Sequence, residues 1–166
     1  MPLSVPNGSH VFVDATVFHY ALIPTFDTSP DCLDFLDRAI AAEVSLSTNI
    51  QVLADVLHKA MTSEAAQIAG RDRSGIVGYL KRHPEIIRRC VEWPSAVARL
   101  NTIPLRILDI DIPLLEEAAS LAHAYGLLTN DAVIVAMMRR HSIIHLATND
   151  DDFDRVPGIT VWKPRS

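Results

Sequence analysis

Apolar positions along the chain fall into short alternating or continuous runs, separated by longer stretches with helical spacing. Residues 10–13 (HVFV) form a β-rich run after an Asn7-Gly8 turn signal, and the run ends at Asp14. Pro24 and Pro30 bracket a loop, with Asp31 as the expected N-cap. Over 32–42, Leu33, Leu36 and Ile40 recur at helical spacing, with Asp34, Asp37 and Arg38 opposite. Residues 44–48 (VSLST) alternate as a second strand. A helix over 50–61 turns Val52, Leu53, Val56, Leu57 and Ala60 inward and leaves Gln51, Asp55, Lys59 and Thr62 as a polar stripe. Further helices are expected over 65–100, broken at Gly70, Gly75, Pro84 and Pro94. A third strand over 105–110 (LRILDI) precedes a helix over 113–125, with Pro113 in its first turn and Gly126 closing its end. Another helix over 131–140, a fourth strand over 143–148 (IIHLAT) and a short fifth at an edge, 159–162 (ITVW), complete the pattern.

Strands that alternate with helices imply parallel crossovers, because a parallel neighbour is reached only by a long connection. The predicted fold is therefore α/β: three αβα layers around a mostly parallel sheet of four to five strands, with extra helices mid-chain. The length of 166 residues suits one domain spanning 1–166. An apolar fraction of 49%, with only 6 Gly and 10 Pro, excludes wholesale disorder and collagen-like repeats. Cys32 and Cys90 have no zinc-type spacing and read as free thiols of a reducing compartment. The N-terminal stretch lacks the basic start and apolar run of a signal peptide. The longest apolar helical run, AVIVAMM at 132–138, is far below the roughly 20 residues of a membrane span, so a cytoplasmic protein without a membrane partner is expected.

In a parallel α/β sheet, ligands bind outside the carboxyl ends of the strands. Asp14 closes the first strand and Asp150 follows the fourth; Asp131 opens the helix before the fourth, and Asp55 lies on the helix after the second. Each has an ordinary reading on its own. Asp14 suits a turn, Asp131 suits a helix N-terminus capped by Thr129 or Asn130, Asp55 suits an exposed pair with Lys59, and Asp150 suits the acidic loop NDDDFD. Together, acids from four segments would gather at one sheet edge. Like charges so placed require neutralisation, which a hard divalent ion with oxygen ligands supplies. The indicated chemistry is phosphoryl-ester hydrolysis, in which such an ion polarises a phosphoryl oxygen and activates water.

At these residues the sequence resembles the PIN-domain ribonucleases, and within them the VapC-type toxins of toxin–antitoxin pairs. The matching stretches are HVFVDATVF, STNIQVLADVLHKA, GLLTNDAVIVAMMRRHSI and IIHLATNDDDFDRVPGITVW, in the family order, while 63–104 matches poorly. The resemblance implies a PIN-like fold and Mg²⁺- or Mn²⁺-dependent cleavage of single-stranded RNA to a 5′-phosphate and a 3′-hydroxyl. Asp14, Asp131 and Asp150 would hold the ions, Asp55 would position a metal or orient water, and Thr16 and Thr148 would support them. The family usually has Glu where Asp55 stands, and one methylene less shortens the reach by ~1.5 Å. Asp152 and Asp154 lie close enough to Asp150 to compete for the role of ligand. A homodimer and a cognate antitoxin are also implied.

Asp14-Ala15-Thr16 also resembles the start of the haloacid-dehalogenase-type phosphatases, with Asp14 as nucleophile, although those enzymes usually have a second Asp where Thr16 stands. A catalytically weak PIN domain that binds RNA or protein is the other alternative, raised by Asp55. No dinucleotide or P-loop motif is present, and His141 and His145 are separated by a helix-to-strand break. The net charge of −5 argues against a nucleic-acid partner until it is resolved along the chain. Residues 58–106 hold nine Lys or Arg against four acids, which leaves +5 there and −10 elsewhere. Lys81, Arg82, Arg88 and Arg89 are the expected RNA contacts on this basic flank.

Overall fold

Five parallel strands in the order β3-β2-β1-β4-β5 organise the computed structural model, which describes residues 3–23 and 29–165. The strands are β1 (His10–Val13), β2 (Ser45–Asn49), β3 (Leu105–Leu108), β4 (His145–Ala147) and β5 (Thr160–Trp162). In register, Phe12 stands beside Ser47 on one side and Leu146 on the other. β1 is thus the middle strand. From it the chain winds outward through β2 to β3, then returns to the opposite side for β4 and β5. The reversal opens a crevice beside β1, where an open α/β sheet holds its ligand.

The helices are α1 (Ala15–Leu22), α2 (Pro30–Ile40), α3 (Ile50–Ala69), α4 (Ile76–Leu80), α5 (Pro84–Ile87), α6 (Glu92–Leu100), α7 (Ile112–Tyr125) and α8 (Thr129–Arg140). Every residue from Ala132 to Met138 on α8 is buried, as expected of a helix that is apolar all round. Phe12, Phe18, Phe35 and Phe153 are fully buried in the same core. Gly126 closes α7 at φ 64°, a left-handed conformation that glycine adopts without a Cβ clash.

Several boundaries differ from the sequence pattern for identifiable reasons. The predicted helix over 50–61 continues to Ala69, because Ala65 and Ala66 have a second core to enter and Gly70, at φ 59°, ends it. Pro94 does not break the chain but sits in the first turn of α6, where the missing N–H removes no internal bond. Ser29, not Asp31, is the N-cap of α2; the Asp31 carboxylate accepts from the backbone N–H of Arg165 instead. Leu128 occupies the N-cap position of α8, so neither Thr129 nor Asn130 is the cap. Thr62 leaves the polar stripe and is buried, donating to the His58 carbonyl at 2.9 Å. Pro24, expected to open a loop, lies outside the described residues.

The mid-chain helices have their own small core. Ala65, Ala66, Ile76, Leu80, Ile86 and Cys90 pack together at the far end of α3. A buried acid that the sequence pattern did not single out fastens this region. The Glu64 carboxylate accepts the backbone N–H of Val91 at 2.9 Å and of Glu92 at 2.8 Å, satisfying the first free donors of α6. Both cysteines are free and buried. Among the described residues, no single helix is long and apolar enough to cross a membrane.

Candidate active site

The first acid is placed by β1. Its backbone N–H donates to the Ala147 carbonyl at 3.0 Å, so Asp14 leaves the sheet still registered to β4 and becomes the N-cap residue of α1. Its side chain does not cap the helix. Oδ2 instead accepts two hydroxyls, from Thr16 at 3.0 Å and Thr148 at 2.8 Å. The Thr148 oxygen also accepts the Asp150 backbone N–H at 3.1 Å, and Thr16 accepts that of Asn149 at 3.0 Å. A hydroxyl network therefore binds the end of β1 to the segment after β4.

Asp150 caps the 3-10 helix Asp151–Arg155, accepting the Asp152 N–H at 2.8 Å, and this turn aims Asp152 back toward α8. On the other wall, Asn49 caps α3 by accepting the Val52 N–H at 2.8 Å and fixes the helix that carries Asp55. Asp55 pairs with Lys59 at 2.9 Å. Gln51 donates to Asn130 at 2.5 Å, tying α3 to the start of α8 and so to Asp131.

These elements enclose one cleft of about 450 Å³, and Asp14, Asp55, Asp131 and Asp150 all line it, with Lys59 beside them. Carboxylate oxygens of Asp131 and Asp150, which line it, and of Asp152, which is not among its lining residues, lie within 4.8 Å of one another. Asp14 and Asp55 share the cleft without belonging to that close trio. The Asp131 carboxyl is pushed up to about 6, first by burial and then by the charges of Asp150, Asp14 and Asp152, with Arg155 pulling the other way. Negative charge therefore accumulates beyond what the neighbouring cation offsets. An all-oxygen donor set with excess negative charge fits a hard divalent ion and not a soft one.

A family profile for the PIN domain matches residues 11–159. The chain belongs to the PIN-domain family. Ribonuclease VapC6 of Methanocaldococcus jannaschii is 28% identical to it over 157 residues, covering 95% of this chain and 99% of that protein. Rickettsia felis VapBC2, solved bound to a DNA fragment from its promoter, aligns at a TM-score of 0.57 and 14% identity, covering 94% of this chain and 99% of its own. Mycobacterium tuberculosis VapC20, a sarcin-ricin loop cleaving toxin, aligns at 0.54 and 18% identity, over 89% and 95%.

In this PIN domain Thr16 lines the cleft directly, whereas Thr148 reaches it through Asp14. Asp154 is turned away, paired with Lys163 at 2.7 Å. Lys81, Arg82, Arg88 and Arg89 are exposed around α4 and α5 and are not among the residues lining the cleft. Sequence reasoning missed Asn49, Gln51 and Asn130 as its walls. An Asn immediately before the helical pattern of α3 was the available signal for the first; the Gln51–Asn130 contact spans 79 positions and left no local trace.

Proposed function

We propose that the chain is a divalent-metal-dependent endoribonuclease for single-stranded RNA, acting as the toxin of a toxin–antitoxin pair. One observation carries this reading: acids from four separate segments line one cleft at the switch point of a parallel sheet, where burial and mutual repulsion raise Asp131 to about 6. The ribonuclease name of the archaeal relative and the VapBC assembly among the similar folds support it.

Asp131 and Asp150, with Asp152 and the adjacent Asp14, would hold Mg²⁺ or Mn²⁺. When bound, the ion supplies Lewis acidity toward the phosphodiester and the attacking water. Asp14 commits one oxygen to two hydroxyls, which fixes its rotamer before substrate arrives. Asp55 faces the same cleft and orients water or a ligand from the α3 wall, with Lys59 limiting repulsion between it and the other acids. The basic flank of Lys81, Arg82, Arg88 and Arg89 draws RNA phosphates toward the protein. The whole chain acts as one PIN unit, forms a homodimer, works in the cytoplasm and is neutralised by an antitoxin protein.

A second reading, a PIN domain that binds RNA or protein without cleaving, is favoured by Asp55, which is short for its position and paired to Lys59. Incubating wild type and Asp131→Asn with single-stranded RNA, under Mg²⁺ or Mn²⁺ and then EDTA, separates the two. Cleavage by wild type alone, stopped by EDTA, is expected. Equal cleavage by both proteins removes the proposed site, and binding without cleavage under either metal establishes the second reading.

A further inference from the structure

The acidic cleft has a second wall of a different kind. β2 lies on one side of β1 and β4 on the other, so the end of β2 stands across Asp14 from the segment that carries Asp150. Three amide side chains line the cleft from that side: Asn49 at the end of β2, Gln51 in the first turn of α3 and Asn130 in the first turn of α8. Asp55 is the acid on this wall, and Lys59 meets its charge at 2.9 Å. Val52 and Ile134 line the cleft beside the amides, and Leu128 stands at its lip with 72% of its surface exposed.

The amides differ in what they have left to offer. Asn49 is only 1% exposed, and its Oδ1 is committed to the Val52 N–H at 2.8 Å. Its Nδ2 has no partner among the described residues, which is uncommon for a buried amide. Gln51 Nε2 donates to Asn130 Oδ1 at 2.5 Å, which occupies one amide hydrogen and one carbonyl. Among the described residues, both hydrogens of Asn130, the second of Gln51 and the Gln51 Oε1 carbonyl are left over. The three side chains therefore offer more donors than acceptors and carry no charge. Neutral, directional donors beside apolar side chains suit a nucleobase, which is apolar on its faces and hydrogen-bonds at its edge. Guanine and uracil present a carbonyl oxygen where adenine and cytosine present an amino group, so a donor-rich wall favours the first two.

We propose that Asn49, Gln51 and Asn130 read a base beside the cleaved linkage and select guanine or uracil over adenine and cytosine. This rests on the nuclease reading above and narrows its substrate to strands with a carbonyl base at that position. Asn49 supplies the buried donor, Gln51 and Asn130 hold each other in place and donate from the rim, and Leu128 lies against the base face.

Two measurements test this, one of them without cleavage. On Asp131→Asn protein, fluorescence anisotropy compares labelled oligouridine with oligocytidine, which differ only at the base edge. Oligouridine is expected to bind about tenfold more tightly, and adding Asn49→Ser or Asn130→Leu should bring the ratio close to one. Serine also caps helix N-termini, so α3 keeps its start. A loss of folded protein scales both affinities alike and does not imitate the effect. On the active protein with Mg²⁺ or Mn²⁺, a randomised pool of single-stranded RNA is cut and the new ends are sequenced. Guanine and uracil should dominate one position next to the cut, and that bias should fade in both variants. Equal binding of the two oligomers, cleavage with no such bias, or a bias that both variants keep overturns the base assignment and leaves the nuclease reading standing. A uridine preference in binding that the variants abolish, with no cleavage by wild type, overturns the nuclease reading and keeps the base site.

Discussion

Thr148 Oγ1 donates to Asp14 Oδ2 at 2.8 Å, joining residues 134 positions apart at the ends of the adjacent strands β1 and β4. The same hydroxyl receives the Asp150 N–H, so one buried threonine sets the spacing of two acids. Thr148→Val keeps the shape and removes the hydroxyl. Expected are a loss of about 1–2 kcal/mol in denaturant unfolding and a fall of about tenfold or more in cleavage, with Thr148→Ser close to wild type. Full activity in Thr148→Val would separate Asp14 from this network.

Asp131 makes the metal-free protein sensitive to pH in a defined direction. A carboxyl whose folded pKa of about 6 exceeds its ordinary value of 3.8 binds its proton more tightly when folded. Its ionisation therefore works against the fold, and its contribution falls from about pH 4 to pH 6. His19, held down at about 4, works in the opposite sense between there and 6.5. The informative quantity is thus the difference in Tm between wild type and Asp131→Asn in EDTA. Asn is expected to be the more stable by a margin that grows from pH 4 to 6 and then levels; a flat difference contradicts the shift.

Asp55 distinguishes a surface ion pair from a working acid. Its bond to Lys59 is partly exposed, so Asp55→Ala should change stability by less than about 1 kcal/mol. Cleavage should nevertheless drop by about tenfold to a hundredfold, and Asp55→Glu should retain or raise it through its longer reach. Unchanged cleavage in Asp55→Ala would return this residue to the solvated face.

Asp152 joins Asp131 and Asp150 in the close trio, and Arg155 pairs with it. Calorimetric titration with Mn²⁺ should show Asp152→Asn binding at least several-fold more weakly, with Asp154→Asn unaffected because that carboxylate faces Lys163. Equal losses in both would mean that the acidic run acts only through its overall charge.

Arg88 and Arg89 test the wider basic flank. Replacing both with Glu should weaken RNA binding more at low salt than at high salt and flatten the salt dependence. Unchanged binding would confine phosphate contact to residues nearer the cleft.

The sheet was legible because its strands are short, β-branched runs with helical periodicity between them, and β1 emerged with the boundaries that the sequence predicted. Phe153, in the midst of four acids, was readable as a core plug because a lone aromatic in such a run has few other uses, and it is buried. α1 left no comparable trace. ATVFHYAL buries all but two of its residues, so no polar face marks its period. Glu64 was illegible for a different reason: its partners lie 27 and 28 positions away and are backbone groups, which carry no residue identity. At the site, the acids themselves stood out. The trio of Asp131, Asp150 and Asp152 depends on the 3-10 turn after Asp150, a local geometry that spacing alone does not resolve.

The acids of the cleft enter in the order Asp14, Asp55, Asp131 and Asp150, spread across nearly the whole polypeptide. A chain still being synthesised has no complete set of these acids until the segment after β4 is made, and that segment leads into β5, which pairs with β4. A fragment that ends ahead of that segment lacks Asp150, and the close trio with Asp131 and Asp152 cannot form in it. Assembly of the acidic cleft is thereby tied to the segment that follows β4.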